Sequence, residues 1–103
     1  MDFYIIIPGH NESGNIGMVL EKAKKFAAAE KIIGVDDGSR DGTAAEAGRH
    51  GVTVLRHAIN LGKGAALRTG GQYSSRRGAQ ALVFMDSDGQ HDPEDLPRLL
   101  EAL

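Results

Sequence analysis

In the stretch Val83-Phe84-Met85-Asp86-Ser87-Asp88-Gly89-Gln90-His91, the chain turns abruptly from apolar to acidic. Residues 81–85 predict a buried strand that ends at two aspartates. Because alternate residues of an extended segment point the same way, Asp86 and Asp88 can direct both carboxylates to one point beyond the strand. Ligands of open α/β sheets bind at that carboxyl edge. Converging carboxylates repel unless a cation lies between them, and their hard oxygens suit Mg²⁺ or Mn²⁺. The stretch therefore predicts a metal-dependent site for a diphosphate.

The composition is that of one small globular domain covering residues 1–103, with 41% hydrophobic and 25% charged residues. The net charge of −2 gives no basic stripe for nucleic acid, and the absence of cysteine excludes disulfides and thiolate metal sites. The first residues lack the basic region of a signal peptide, and the sequence contains no apolar run long enough to span a membrane. We therefore expect a cytoplasmic chain, which could act at the inner face of a membrane.

Apolar runs and helical periodicities alternate along the chain. Because the apolar runs are uniform rather than alternating, they predict strands covered on both faces, as in a parallel sheet. The predicted fold class is α/β, a parallel four-stranded Rossmann-like sheet flanked by helices. The predicted strands cover 3–7, 31–35, 52–56 and 79–85. The predicted helices cover 13–29, 42–50, 62–76 and about 96 to the end, with Gly70 and Gly71 serving close packing.

Three polar loops, residues 8–12, 36–39 and 86–90, each follow an apolar strand and should meet at the carboxyl edge of the sheet. Taken singly, such acidic residues often only cap helices or form turns. Taken together, they predict a shared acidic site. Its carboxylates would come from Glu12, Asp36, Asp37, Asp86 and Asp88.

Four ordered motifs carry a family resemblance: Ile5-Ile6-Ile7-Pro8-x-x-Asn11-Glu12, Val35-Asp36-Asp37-Gly38-Ser39-x-Asp41-Gly42-Thr43, Asn60-x-Gly62-Lys63-Gly64-x-Ala66-x-x-x-Gly70 and Met85-Asp86-Ser87-Asp88-Gly89-Gln90-His91. In this order and spacing they resemble glycosyltransferase family 2, and most of all its polyprenol- or dolichol-phosphate mannosyl- and glucosyltransferases. The resemblance implies a GT-A fold. It also implies inverting transfer of a sugar from a UDP- or GDP-sugar to an acceptor such as a polyprenol phosphate or a saccharide.

The resemblance also implies a set of site residues. Asp37 would accept a hydrogen bond from an N–H of uracil or guanine, and the D-x-D pair would hold Mg²⁺ or Mn²⁺ against the diphosphate. The nucleotide-sugar site would comprise Pro8, His10, Glu12, Val35, Asp37, Asp86, Ser87 and Asp88. The metal ligands would be Asp86, Asp88 and Gln90.

Catalytic domains of this family are considerably longer than this chain, so the resemblance implies an N-terminal, donor-binding half. The catalytic base and the acceptor site are then expected elsewhere, and a sheet edge left exposed could favour self-association.

The alternative is a non-catalytic nucleotide-sugar-binding or assembly module. Two further expectations concern single residues: Lys63 is predicted to be a solvated lysine at a helix start, and His57 a surface loop residue.

Overall fold

The computed structural model describes residues 2–86 together with the backbone of residues 100–102. Strands and helices alternate along most of it. The strands are β1 (Phe3–Gly9), β2 (Ile32–Asp37), β3 (Thr53–His57), β4 (Ala81–Phe84) and β5 (Leu100–Ala102). The helices are α1 (Ile16–Ala23), α2 (Thr43–Gly48) and α3 (Lys63–Arg76), and a short 3₁₀ turn covers Ala29–Lys31.

One sheet contains all five strands in the order β3-β2-β1-β4-β5. Strands β1 to β4 run parallel, which confirms the predicted four-stranded parallel sheet. Pro8 pairs with Val35, and Asp37 pairs with His57. The loops that follow β1, β2 and β3 therefore leave the sheet at the same edge.

Two predicted helices differ from those observed. The helix predicted over 13–29 is shorter, because α1 ends at Ala23 and the chain continues through turns in which Lys25 and Phe26 donate to carbonyls three residues back. The predicted C-terminal helix is wrong at its end, because Leu100–Ala102 pairs antiparallel with β4. Backbone pairing at an open sheet edge outweighs the helix propensity of these residues. Residues 96–99 lie outside the part that the structure describes.

Both faces of the sheet are covered, as the uniformly apolar β1 predicts. Ile5 and Ile7 pack toward α1 and α2, whereas Ile6 packs toward α3 with Val35. Gly70 of α3 lies so close to this second cluster that an added Cβ would be 2.5 Å from the Ile6 Cγ2 methyl. The close packing predicted for Gly70 is therefore confirmed, and it brings the first turns of α3 over the carboxyl edge of the sheet.

Candidate functional site

A cleft of about 300 Å³ opens at the carboxyl edge of the sheet. The loop after β1, the end of β2, the start of α3 and the short segment after β4 all contribute to it. Five of the residues predicted for the site line this cleft: Pro8, His10, Glu12, Asp37 and Asp86. The β3–α3 connection and α3 add Asn60, Gly62, Lys63 and Ala66.

The Asp37 side chain is at the centre of a hydrogen-bond network at the cleft, and the residue is 4% exposed. Its Oδ1 accepts from the Leu61 N–H at 2.9 Å and from His57 Nδ1 at 2.8 Å, and its Oδ2 accepts from the Gly62 N–H at 2.9 Å. Burial of Asp37 favours the neutral acid, but the hydrogen bonds from His57, Leu61 and Gly62 outweigh it and lower the pKa. Asp37 is therefore an ionised acceptor that also fixes the loop before α3.

The prediction that His57 is a surface loop residue is wrong. His57 ends β3, its side chain is only 10% exposed, and its two ring nitrogens contact Asp37 and the Thr69 hydroxyl of α3, each at 2.8 Å. The partners are 20 and 12 residues away in the chain. The pairing of Asp37 with His57 across β2 and β3 brings them together, so no local pattern indicates the contact.

Asp36 does not join the cleft, contrary to the expectation that all five acidic residues gather there. It is 2% exposed, its Oδ1 accepts from the Ser39 N–H at 3.1 Å, and the Arg56 Nε lies 3.3 Å from its Oδ2. Adjacent residues of a strand point to opposite faces, so Asp36 and Asp37 cannot both face the cleft.

Val35 is also outside the cleft, although the resemblance assigns it to the nucleotide site. It is fully buried in the cluster beneath α3. An added Cβ on Gly70 would lie 3.2 Å from a Val35 methyl, so the helix lies directly against it. The structure therefore gives Val35 a packing position beneath the site.

Lys63 extends over the cleft and pairs with the Asp86 carboxylate. Its side chain is 60% exposed and that of Asp86 is 16% exposed. The predicted solvated lysine at a helix start agrees with this exposure and with Gly62, which precedes α3 with φ +98°, but the pairing with Asp86 was not predicted. The sequence did contain a sign that Lys63 belongs to the site, because this lysine lies in one of the four motifs that carry the family resemblance. This pairing also indicates that the edge beside Asp86 favours positive charge.

The predicted metal ligands are only partly described. Asp86 belongs to the described residues, whereas Ser87, Asp88 and Gln90 lie outside them. Within residues 2–86 and 100–102, no group of three or more histidine or acidic side chains could hold a metal ion. The Asp86 carboxylate, which pairs with the Lys63 ammonium here, could supply one oxygen ligand to a divalent cation.

The loop after β1 is tied to the loop after β2. The Glu12 N–H donates to the Thr43 hydroxyl, and the Asn11 N–H donates to the Ser39 hydroxyl, each at 2.9 Å. His10 Nδ1 donates to the backbone carbonyl of Asp37 at 2.9 Å. Asn11 takes up a positive φ of 53°, which turns the chain back over β2. These contacts fix His10 and Glu12 at the rim of the cleft.

An open sheet whose four parallel strands end at a polar cleft is typical of α/β domains that bind nucleotides. The structure describes no helix long and apolar enough to cross a membrane. The profile of the family "Glycosyl transferase family 2" matches residues 4–103. The chain belongs to glycosyltransferase family 2.

Similar proteins agree with this assignment. The chain is 39% identical to the polyprenol monophosphomannose synthase of Mycolicibacterium smegmatis, over 96% of this chain and 40% of that protein. It is 38% identical to the undecaprenyl-phosphate mannosyltransferase of Micrococcus luteus, over 95% of this chain and 42% of that protein. The chain thus spans about 40% of the length of these curated relatives.

Solved structures support the fold. Glucosyl-3-phosphoglycerate synthase from Mycobacterium tuberculosis, crystallised with Mn²⁺, UDP and glucosyl-3-phosphoglycerate, superposes with a TM-score of 0.74. The two chains are 25% identical, and the match covers 93% of this chain and 37% of the other. The GT-A fold implied by the resemblance is confirmed.

Proposed function

We propose that this chain binds the nucleotide-sugar donor of a metal-dependent, inverting glycosyltransferase. The donor is a UDP- or GDP-sugar, and the acceptor is a polyprenol phosphate or a saccharide. The observation that carries the proposal is the cleft at the carboxyl edge, which Asp37, Lys63 and Asp86 all line. Family membership supports sugar transfer, and the lipid-phosphate substrates in the names of the two curated relatives support the acceptor class.

The nucleoside would occupy the end of the cleft near β1 and β2. Pro8 and His10 would line its base and ribose, and Glu12 would accept from a hydroxyl at the rim. Asp37, ionised and held by the β3–α3 loop, would accept from an N–H of the base. Val35 would support this wall from beneath rather than contact the nucleotide.

The diphosphate would lie toward the end of β4. We propose that Asp86, Asp88 and Gln90 supply oxygen ligands to Mg²⁺ or Mn²⁺, with Ser87 beside the ribose and phosphates. When bound, the cation would neutralise the negative charge that builds on the departing nucleoside diphosphate. The Lys63 ammonium, which pairs with Asp86, would supply a second positive charge beside the phosphates. The Mn²⁺ and UDP with which the similar synthase was crystallised support this assignment.

Calorimetric titration of the chain with UDP and with GDP, first with Mn²⁺ and then with EDTA, tests the proposal. We expect binding that requires metal and is lost in Asp86→Ala and in Asp88→Ala. Glu30→Ala, in the 3₁₀ turn before β2, is the matched control and should bind as the wild type does. A folded chain that binds neither nucleotide, or binds equally well in EDTA, would contradict the proposal.

A second candidate is a non-catalytic nucleotide-sugar-binding or assembly module. The observation that favours it is the fraction of the relatives' length that this chain spans, about 40%. Release of free sugar from UDP- or GDP-sugar, or transfer to a polyprenol phosphate, would exclude it. Metal-dependent binding without turnover would favour it.

Among the described strands, β3 and β5 lie at the two edges of the sheet, and each pairs with one neighbour, so a second copy could add a strand at either edge. Light scattering across a concentration series would detect the dimer.

We further propose a cytoplasmic location, at the inner face of a membrane if the acceptor is a lipid phosphate.

A further inference from the structure

His57 is not among the described residues that line the cleft, yet it contacts Asp37, which does line it. In the register of β2 and β3, Asp37 and His57 are direct partners. The ring bridges two elements, since its nitrogens contact Asp37 of β2 and Thr69 of α3. The His57 side chain is 10% exposed and that of Asp37 is 5% exposed, so water competes little for these hydrogen bonds.

The chemistry of the partners fixes the role of each ring nitrogen. An ionised carboxylate only accepts hydrogen bonds, so Nδ1 carries the hydrogen that is donated to Asp37. In the neutral ring, Nε2 then accepts from the Thr69 hydroxyl. The ring is thereby held at both ends, and it restricts the Asp37 carboxylate to one orientation.

That orientation matters for the cleft because Asp37 also accepts from the Leu61 and Gly62 N–H groups. Gly62 precedes the first turn of α3, where its φ of +98° turns the chain into the helix. Lys63 is the next residue, and it pairs with Asp86. A continuous set of contacts thus runs from His57 through Asp37 and Gly62 to the residues proposed to hold the diphosphate.

We propose that His57 is a positioning residue for the donor site: it sets nucleotide affinity by orienting Asp37 and the corner of chain that leads to Lys63, without touching the nucleotide. This inference rests on the proposed donor-binding function. A purely structural histidine would also be buried and hydrogen-bonded. The two roles differ in whether affinity depends on the Nδ1–Asp37 bond itself or only on the stability of the fold.

Three substitutions separate these roles. In His57→Asn the side-chain amide can occupy the position of Nδ1 and keep the bond to Asp37. His57→Gln can reach only the position of Nε2 and loses that bond while keeping a polar group near Thr69. Thr69→Val removes the bond at the other end of the ring and leaves Asp37 held by His57.

The experiment measures the midpoint of thermal unfolding and the dissociation constants for UDP and GDP with Mn²⁺ in all four proteins. Loss of a hydrogen bond to a charged group should weaken binding about tenfold in His57→Gln. His57→Asn should stay within about threefold of the wild type, since it restores the donor. Thr69→Val should unfold at a lower temperature with little loss of affinity.

Affinities that follow the unfolding midpoints, or equal affinities for His57→Asn and His57→Gln, would overturn the positioning role while leaving donor binding intact. A wild-type chain that binds neither nucleotide would instead overturn the proposed function together with this inference. The NMR signal of the His57 Nδ1–H gives a readout that needs no nucleotide. It should be protected from exchange in the wild type and lost in Asp37→Asn; an exposed, exchanging signal in the wild type would also count against the inference.

Discussion

Asp36 and Asp37 are adjacent in β2, yet they belong to different faces of the sheet and have different environments. Asp37 lines the cleft beneath α3 and accepts hydrogen bonds from His57, Leu61 and Gly62. Asp36 is on the α1 and α2 face, where one oxygen accepts from Ser39 and the other makes no hydrogen bond among the described residues but lies 3.3 Å from the Arg56 Nε. Both are buried carboxylates, but only one of them is fully hydrogen-bonded.

The two faces differ beyond these residues. On the α3 face, a glycine brings the helix into contact with the sheet, and the loop before the helix carries cleft residues. On the other face, α1 begins without a side-chain cap of its own, and Glu46 of α2 accepts from the Gly14 and Gly17 N–H groups, each at 2.7 Å. Polar contacts therefore serve the site on one face and mutual support of the helices on the other.

The largest effect should come from Gly70→Ala on the α3 face. The new methyl would lie 2.5 Å from an Ile6 methyl, and β1 cannot move without disturbing its neighbours in the sheet. We expect a loss of about 2 to 3 kcal/mol in the free energy of unfolding, measured by equilibrium urea denaturation. Gly48→Ala at the end of α2 is the control, because no described residue outside the backbone of its own helix and its chain neighbours lies within 4 Å of the added Cβ. It should be neutral or stabilise by up to about 1 kcal/mol. Equal changes in the free energy of unfolding for Gly70→Ala and Gly48→Ala would contradict this difference between the two faces.

The second-largest effect is expected from Asp37→Asn, and Asp36→Asn is its matched control. In Asp37→Asn the amide group must point at an N–H of Leu61 or Gly62 or at the His57 ring, so we expect about 2 kcal/mol of destabilisation and loss of UDP and GDP binding. In Asp36→Asn the oxygen can still accept from Ser39, and the amide replaces the oxygen that pairs with Arg56, whose side chain is 63% exposed, so only a weak ion pair is lost. That variant should lose less than about 1 kcal/mol and keep its nucleotide affinity. Similar binding losses in both variants would show that the two faces are not independent.

The smallest effect concerns Glu46→Gln, which weakens the cap of α1. Hydrogen bonds from the Gly14 and Gly17 N–H groups hold the pKa of Glu46 below its ordinary value. The carboxylate therefore stabilises the fold fully above its unfolded-state pKa of about 4.3, and this stabilisation is lost as pH falls through the lower folded-state pKa. We expect Glu46→Gln to cost about 1 kcal/mol at pH 7.

The difference in unfolding free energy between wild type and Glu46→Gln should shrink as the solution is acidified below about pH 4. Urea denaturation at pH 7 and at lower pH values measures it. Glu30→Gln, an exposed position in the 3₁₀ turn, should show no such difference at any pH. A difference between wild type and Glu46→Gln that is constant with pH would mean that the charge of Glu46 does not contribute.

Much of the fold was predictable because it depends on local patterns. The apolar run 3–7 and its counterparts predict strands buried on both faces, and all four parallel strands are present. Asp37 and Asp86 could be predicted as site residues because both lie where an apolar run of the sequence changes to acidic residues. His57 and Glu46 were missed because their partners lie 20 and about 30 residues away. The pairing of Leu100–Ala102 with β4 was missed because helix-forming residues can still complete a sheet edge.

The amino-acid sequence alone was enough for the order of the first four strands and the helices between them, for the family, and for the edge of the sheet where the polar residues gather. It was enough because side-chain periodicity and glycine-bearing loops are encoded within a few neighbouring residues. The three-dimensional structure was needed to show that Asp37 faces the cleft and Asp36 does not, that Val35 lies beneath the site, and that Lys63 and His57 belong to its surroundings. Those outcomes depend on strand register and helix packing, which bring together residues that are far apart in the chain.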